Sequence, residues 1–465
     1  PNAKRTCNEP FVVAQAEMHP EARGVFWDLR SRRADGSFAP LDFAAEMETH
    51  LNTEYLATEL ADFPDQEMVY MITVTGVDFK VSHAAGQTVI FPHLESIVPA
   101  YNGVEDELRR LNGLTFNEFF DGFPFLPWCA LGNGATARKK EIRMRRTTEG
   151  GGPRYYLADS SEIQVLSLNS RIGTKDLVPD AASRWCLPGL PTTTGHLTYD
   201  AAVRAHADST RRYKPTKWPP EVKPRIDDLL HDITVLKHAA FCLGEDVYVF
   251  TSDAKDYFNQ LRLAPWCLPH VGLIWTTLDA SHSDYSCVAE YVLGFGYSNA
   301  SNIAQRFAYG ILDIFRRRFD REDAKHLAED RVRAPRYFAA RDAVSRATGR
   351  DESRLAVALM YTDDPIFVVV GARRAKRVIA AWREVTSAIN LTLAVAAKHQ
   401  GGANAEWLGL LQLAHLGALA IPLPKHSHAL SEVRALLGKQ TFTRERYHSI
   451  IGLLEHLLVY ANGDR

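Results

Sequence analysis

Two short apolar runs, Leu355–Met360 and Ile366–Val370, flank a Tyr361-Thr362-Asp363-Asp364 centre. Runs of this length, partly β-branched and interrupted by turn-type residues, predict a β-hairpin with largely buried strands. Pro365 lacks an N–H and is expected to end ladder pairing just after the two acids. Upstream, Ile226, Leu229, Leu230, Ile233 and Leu236 stand at amphipathic spacing and predict a helix after Pro224, followed by a strand over Val247–Asp253. GFGYSN, from Gly294, is a glycine-rich turn leading into a helix with Ile303, Phe307, Ile311 and Ile314 on one side. The charged stretch from Arg316 to about Arg354 reads as exposed helices. After the hairpin, Ala372–Ile389 predicts a helix that turns Ala375, Val378, Ile379, Trp382, Val385 and Ile389 inward. Leu391–Lys398 reads as one strand and AEWLGLLQL, after Gly401-Gly402, as another. Ser431–Gly438 and Arg444–Tyr460 read as helices beyond a PLPKH turn. The order helix, strand, helix, hairpin, helix, strand, strand over 226–420 suits an antiparallel or mixed sheet backed by helices, an α+β arrangement.

The first 130 residues offer less. Met68–His83 alternates like strand material and Glu105–Phe120 is helix-like, but neither carries a motif with chemistry attached. Character changes at Arg138–Arg146, RKKEIRMRR, with six basic residues in nine. A charge run is commonly a solvated face. Apolar Ile142 and Met144 alternate within it, and suggest a strand with one basic face suited to phosphate. VLSLN, Val165–Asn169, looks like its partner strand, and residues 175–224, rich in Pro and polar residues, read as loop.

Length and composition set outer bounds. The 465 residues allow two to four domains. Hydrophobic residues at 46% and charged residues at 24% match a soluble globular chain. A net charge of −2 gives no global sign of nucleic-acid affinity, although a local basic cleft is compatible with it. Cys7, Cys129, Cys186, Cys242, Cys267 and Cys287 are scattered without a C-x-x-C pair, which supports neither a zinc site nor a disulfide framework. Reduced core thiols are the expectation, and with them an intracellular compartment, cytoplasmic or nuclear. No run approaches the roughly 18 to 20 apolar residues of a membrane span, and the first residues lack a signal-peptide core, so neither secretion nor membrane insertion is expected. A first residue Pro rather than Met reads as a fragment or a processed product.

The candidate chemistry lies in carboxylates. Asp363 and Asp364 repel each other and are costly beside a core unless a cation sits on them. An ordinary Asp-Asp turn is the alternative reading of the pair alone. Asp253, at the end of an apolar strand, is a third candidate, since two strands of one sheet can bring it beside the pair. Three such oxygen donors suit Mg²⁺. Two ions roughly 4 Å apart serve in-line phosphoryl transfer.

At these residues the chain resembles the reverse transcriptases. DAKDYFNQLRLAP, from Asp253, is similar to the family's first palm motif, D-L-K-D-A-F-F-x-L-x-L-x-P. LGFGYSNASNIAQRF, Leu293–Phe307, is similar to the second, and YTDD resembles the Y-x-D-D hairpin. WLGLL, Trp407–Leu411, resembles the primer-grip region, and YHSIIGLLEHLLVYA the thumb sequence. The L-P-F-G-like form points towards the DIRS-like and pararetroviral branch. The resemblance runs from about 138 to 465.

What it implies is a right-hand polymerase fold: an N-terminal region of unknown fold over 1–130, fingers over 131–246, a palm of antiparallel sheet backed by helices over 247–420, and thumb-like helices over 421–465. Within the palm, a fingers insertion is expected near 266–290 and a charged insertion near 316–354. The implied activity is RNA-directed DNA polymerisation, extending a primer 3′-OH with dNTPs. The implied partners are an RNA template and a DNA or RNA primer, and the implied cofactors two Mg²⁺ ions, with Mn²⁺ as a substitute. Asp253, Asp363 and Asp364 would be the metal ligands, and Lys398 a general acid on the leaving pyrophosphate or a solvated strand-end lysine. Phe258 matches the steric gate against a ribose 2′-OH. Tyr257, Gly296, Gln305, Tyr361, Arg145 and Arg146 would serve substrate binding, and Trp407, Leu408 and Gly409 the primer grip. The chain departs from the family pattern at Gly294 and Ser301, which replace Pro, and at Phe295, which stands where retroviral enzymes carry Gln. GGGPRYY also interrupts the fingers strand. An RNA-dependent RNA polymerase, or an inactive, domesticated nucleic-acid-binding relative, are the competing readings.

Overall fold

A computed structural model describes residues 49–78, 223–264, 299–349, 351–438 and 443–458, with short stretches at 11–13, 27–28, 34, 39–40, 88–92, 130–137, 144–149, 154–156, 162–164, 272–276, 285–289, 292–294 and 296–297. It is mixed α+β, with mainly antiparallel sheets. The chain forms two compact units. One collects Pro1–Ser183, Asp200–Glu221 and Asp256–Phe307; the other collects Arg184–Tyr199, Val222–Lys255 and Ala308–Arg465.

The second unit is built on a four-stranded antiparallel sheet. Its order is Ala356–Tyr361, Asp364–Val370, Val247–Thr251 and Gln400–Gly402. The expected hairpin supplies the first two strands. Its second strand is buried from Pro365 to Val370, as befits a β-branched run with neighbours on both edges and both faces. Helices Ile226–Leu243 and Ala372–Ala388 pack on it. The Phe367 ring centroid lies 5.0 Å from Phe315, 5.1 Å from Trp382 and 5.6 Å from Phe250, so one aromatic cluster ties helices to sheet.

Several expectations need correction. Pro365 does not end the hairpin ladder, because it pairs opposite Met360. Its carbonyl instead accepts from Ser252 N at 3.2 Å and so faces the neighbouring strand, whose regular pairing stops at Ile366 opposite Thr251. Leu391–Lys398 is not a strand: it makes one bridge, Leu393 with Ala254, and then a 3₁₀ turn over Ala396–Lys398. AEWLGLLQL is two strands, Asn404–Trp407 and Leu410–Leu413, closed by Leu408 and Gly409 at φ 48° and 80°. Positive φ at both central residues is the two-residue turn whose twist matches a hairpin. Leu408 does not advertise it. The two helices expected after the PLPKH residues are Leu423–Leu437 and Arg444–Leu458; the first starts earlier than Ser431 because Pro424 is tolerated in a first turn. Cys242, expected in the core, is exposed on its helix.

The charged stretch is helical, over Ala300–Arg333 and Pro335–Thr348, but one face of it is not solvated. Arg374, only 3% exposed, donates to Asp323 and Asp330 at 2.7 Å each, and to the Val370 carbonyl at 3.0 Å. A buried guanidinium needs such partners. The pairs fasten the long helix to the end of the buried hairpin strand. Arg316, from the same helix, donates to the Ala358 carbonyl at 2.5 Å. Burial lowers its guanidinium to about 10, which leaves it charged at neutral pH.

In the first unit, the stretch read as strand over Met68–His83 is helical through Thr75, and its residues 79–83 lie outside the described residues: Gln66–Tyr70 continues as a π-helical turn, Met71–Thr75, burying Met68, Val69 and Met71. Phe11–Val13, Thr88–Pro92, Ala130–Ala137 and Met144–Glu149 form a sheet in that order. The last strand contains Arg145 and Arg146, so the basic strand is present from Met144 onward. The helix read at Glu105–Phe120, the strand at Val165–Asn169 and most of the loop over 175–224 lie outside the described residues. Among the described residues, no helix is long and apolar enough to cross a membrane.

Arg374→Ala leaves Asp323 and Asp330 buried with a guanidinium partner lost, and is expected to cost about 3–5 kcal/mol of unfolding free energy. Urea denaturation measures it. A loss below 1 kcal/mol would show that the network does not hold the helix to the sheet.

Candidate metal-binding site

Register sets the site. Beyond the last regular pair, Ile366 with Thr251, the backbone continues through Ser252 N to Pro365 O and Ala254 N to Asp363 O, the latter at 3.0 Å. On its other edge the same segment bonds Ala394 N to Asp253 O at 2.8 Å and Lys255 N to Thr392 O at 2.9 Å. Asp253 is therefore held on both sides, next to the hairpin turn. One carboxylate oxygen each from Asp253, Asp363 and Asp364 lies within 4.8 Å of the others, and all three residues are half-buried. The sequence expectation that these three converge is met.

Like charges this close are unfavourable, and a hard divalent cation is the natural remedy. The donor set, oxygen only, fits Mg²⁺ or Mn²⁺ and not a thiolate-seeking metal. Neighbouring groups hold the cluster, and one of them already offsets part of its charge. Lys398, from the 3₁₀ turn, places Nζ 2.5 Å from Asp253 Oδ2, so it is a partner of the cluster rather than a free surface cation. Trp407, 3% exposed, donates its indole N–H to the Asp364 carbonyl at 2.8 Å. Trp407 and Leu408 line a cavity of about 280 Å³ together with Asp253, Asp364, Lys398 and Glu406. Gly409 contributes backbone: its carbonyl accepts from Lys425 Nζ at 2.7 Å.

Backbone strain marks the same place. Thr362, immediately before Asp363, sits at φ 57°. For a β-branched residue this is a costly conformation, on the order of 1–3 kcal/mol, held in place by the ladders on either side. Tyr361 closes the hairpin opposite Asp364 and lies under Lys223, whose Nζ is 4.5 Å from the ring centroid. Nothing in the sequence pattern singled out Lys223, because a lysine in a proline-rich stretch carries no spacing signal. The Trp407 bond to Asp364 was likewise invisible, being a contact across 43 residues.

The other candidate residues belong to the first unit. Phe258 is half-buried, its ring edge-on to Tyr257 at 6.4 Å. Tyr257 is 1% exposed, donates its hydroxyl to the Ala304 carbonyl at 3.0 Å and stacks on Phe307, so its side chain packs the core. Gln305 is 1% exposed on the helix that begins at Ala300. Gly296 takes φ 108°, which suits glycine. Arg145 and Arg146 occupy a strand opposite Thr136 and Ala135; their side chains lie outside the described residues. No protein-family model matches the chain, and no curated protein matches it.

Removing one charge has opposite effects with and without metal. In EDTA, Asp363→Asn relieves repulsion and is expected to melt above the parent protein. In Mg²⁺ at ten times its dissociation constant the parent gains about 1.4 kcal/mol that the variant largely forgoes. Thermal melts in both buffers check this. A parent melting temperature that Mg²⁺ raises no more than the variant's would contradict a metal at this cluster.

Proposed function

We propose that this chain is an RNA-directed DNA polymerase of right-hand architecture. The observation that carries the reading is the convergence of Asp253, Asp363 and Asp364 at a strand end and a hairpin turn. It joins residues 110 positions apart that also sit in the motifs resembling reverse transcriptases. On this reading the four-stranded sheet is the palm, and Leu423–Leu437 and Arg444–Leu458 are thumb helices.

Asp253, Asp363 and Asp364 would hold the divalent ions, Mg²⁺ or Mn²⁺. Such ions, when bound, supply activation of the attacking hydroxyl and neutralisation of charge on the leaving pyrophosphate. The protein's part is to fix the carboxylates, through the backbone bonds of Ser252 and Ala254, so that little reorganisation accompanies the reaction. Lys398, beside Asp253, would present a proton to a pyrophosphate oxygen. Trp407 steadies Asp364, and Leu408, at the turn, offers an apolar wall for a primer terminus. Phe258 excludes a ribose 2′-OH, favouring dNTPs over rNTPs.

Primer extension on a homopolymer RNA template tests this. The parent protein is expected to incorporate dNTPs in Mg²⁺ and to prefer them over rNTPs. Asp363→Asn is expected to lose extension by at least about 100- to 1000-fold, of the order seen when a key electrostatic group is removed, while retaining duplex binding. Polymerisation by that variant would refute the assignment; rNTP preference would point to an RNA-dependent RNA polymerase; duplex binding without extension by the parent would mark an inactive relative.

A further inference from the structure

We propose that residues 49–78, a segment with no recognisable motif, act as a brace that positions the nucleotide-selecting residues of the polymerase; the proposal rests on the reading given above. The segment grips both motif-bearing pieces of the first unit at once. At one end, His50 Nε2 lies 3.0 Å from Oε1 of Gln260, which is 5% exposed and shares the 3₁₀ turn Tyr257–Gln260 with Phe258. At the other, Val77 N donates to the Arg262 carbonyl at 2.7 Å and Ala264 N to the Val77 carbonyl at 2.9 Å, adding a parallel bridge to the strand-like residues after that turn. Gly76 allows the approach: at φ 79°, a Cβ there would stand 2.6 Å from the Leu263 carbonyl oxygen.

Between these ends the segment holds the second motif. Arg306 is 3% exposed and donates from Nε and Nη2 to the two oxygens of Asp65, 2.6 Å each, and from Nη2 to Glu67 at 2.9 Å. Asp65, 1% exposed, also accepts from Met68 N at 3.1 Å and so caps its own helix. A bidentate pair at this burial fixes orientation as well as distance. Arg306 adjoins Gln305, and Gln260 lies two residues from Phe258. One short segment thus holds a side chain of the turn carrying the gate, the main chain just after that turn, and a side chain of the helix carrying Gln305. Side chains that only filled space would not require a charge-assisted fork on one piece and paired main-chain bonds on the other.

His50 offers the cleanest test, because it is exposed and its loss leaves the buried pair untouched. His50→Ala is expected to lower the ratio of kcat/KM for dNTP over rNTP about fivefold, the worth of one neutral hydrogen bond, and to speed amide hydrogen exchange across Tyr257–Leu263. His50→Gln, whose amide can donate to Gln260, is expected to restore both. A smaller active fraction cannot mimic this, since it scales both substrates equally. An unchanged ratio, unchanged exchange, or a His50→Gln variant that behaves like His50→Ala would overturn the brace. Absence of primer extension by the parent protein would instead refute the polymerase reading, and the selectivity role with it, while the exchange measurement still scores the brace.

Discussion

The carboxylate cluster of the second unit depends on a register that forces three negative charges together. Thr251 opposite Ile366 fixes where the strand ends, and the two backbone bonds beyond it, from Ser252 and Ala254, leave Asp253 no place except beside the hairpin turn. A slip of one residue would send Asp253 to the other face of the sheet. Electrostatics alone would part these carboxylates. The fold keeps them close with main-chain bonds on both edges of Asp253 and with Lys398 against one carboxylate.

That geometry needs a rigid support, and the sequence spends its most hydrophobic and its most charged residues on it. Phe315, Phe367, Trp382 and Phe250 make the sheet and its helices one packed body. Arg374 binds Asp323, Asp330 and the last carbonyl of the hairpin strand, so a helix that looks solvated by composition is anchored at its inner face. Two of the strained residues adjoin the cluster: Thr362 precedes Asp363, and Leu408 follows the tryptophan that bonds Asp364. Such conformations persist only where the surroundings over-determine them.

The hairpin, the helices Ile226–Leu243 and Ala372–Ala388, and the convergence of Asp253 with Asp363 and Asp364 were legible because each rests on local periodicity or on a strand end. Other features were not. The turn at Leu408-Gly409 hid because leucine rarely takes positive φ, so an apolar run read as one strand. Leu391–Lys398 alternates like a strand but finds only one bridging partner, and pairing is a tertiary event. Met68–Thr75 is short, apolar and β-branched in part, a pattern that periodicity alone cannot assign. Asp323 and Asp330 looked like surface charge because Arg374 is 51 and 44 residues away.

Three carboxylates held this close could share a divalent ion. Anomalous diffraction from crystals soaked in MnCl₂ addresses this without relying on turnover. The account predicts manganese bonded to oxygens of Asp253, Asp363 and Asp364, with Lys398 displaced from Asp253 or sharing it. Manganese bound elsewhere, with Lys398 still paired to Asp253 and the three carboxylates bare, would contradict it.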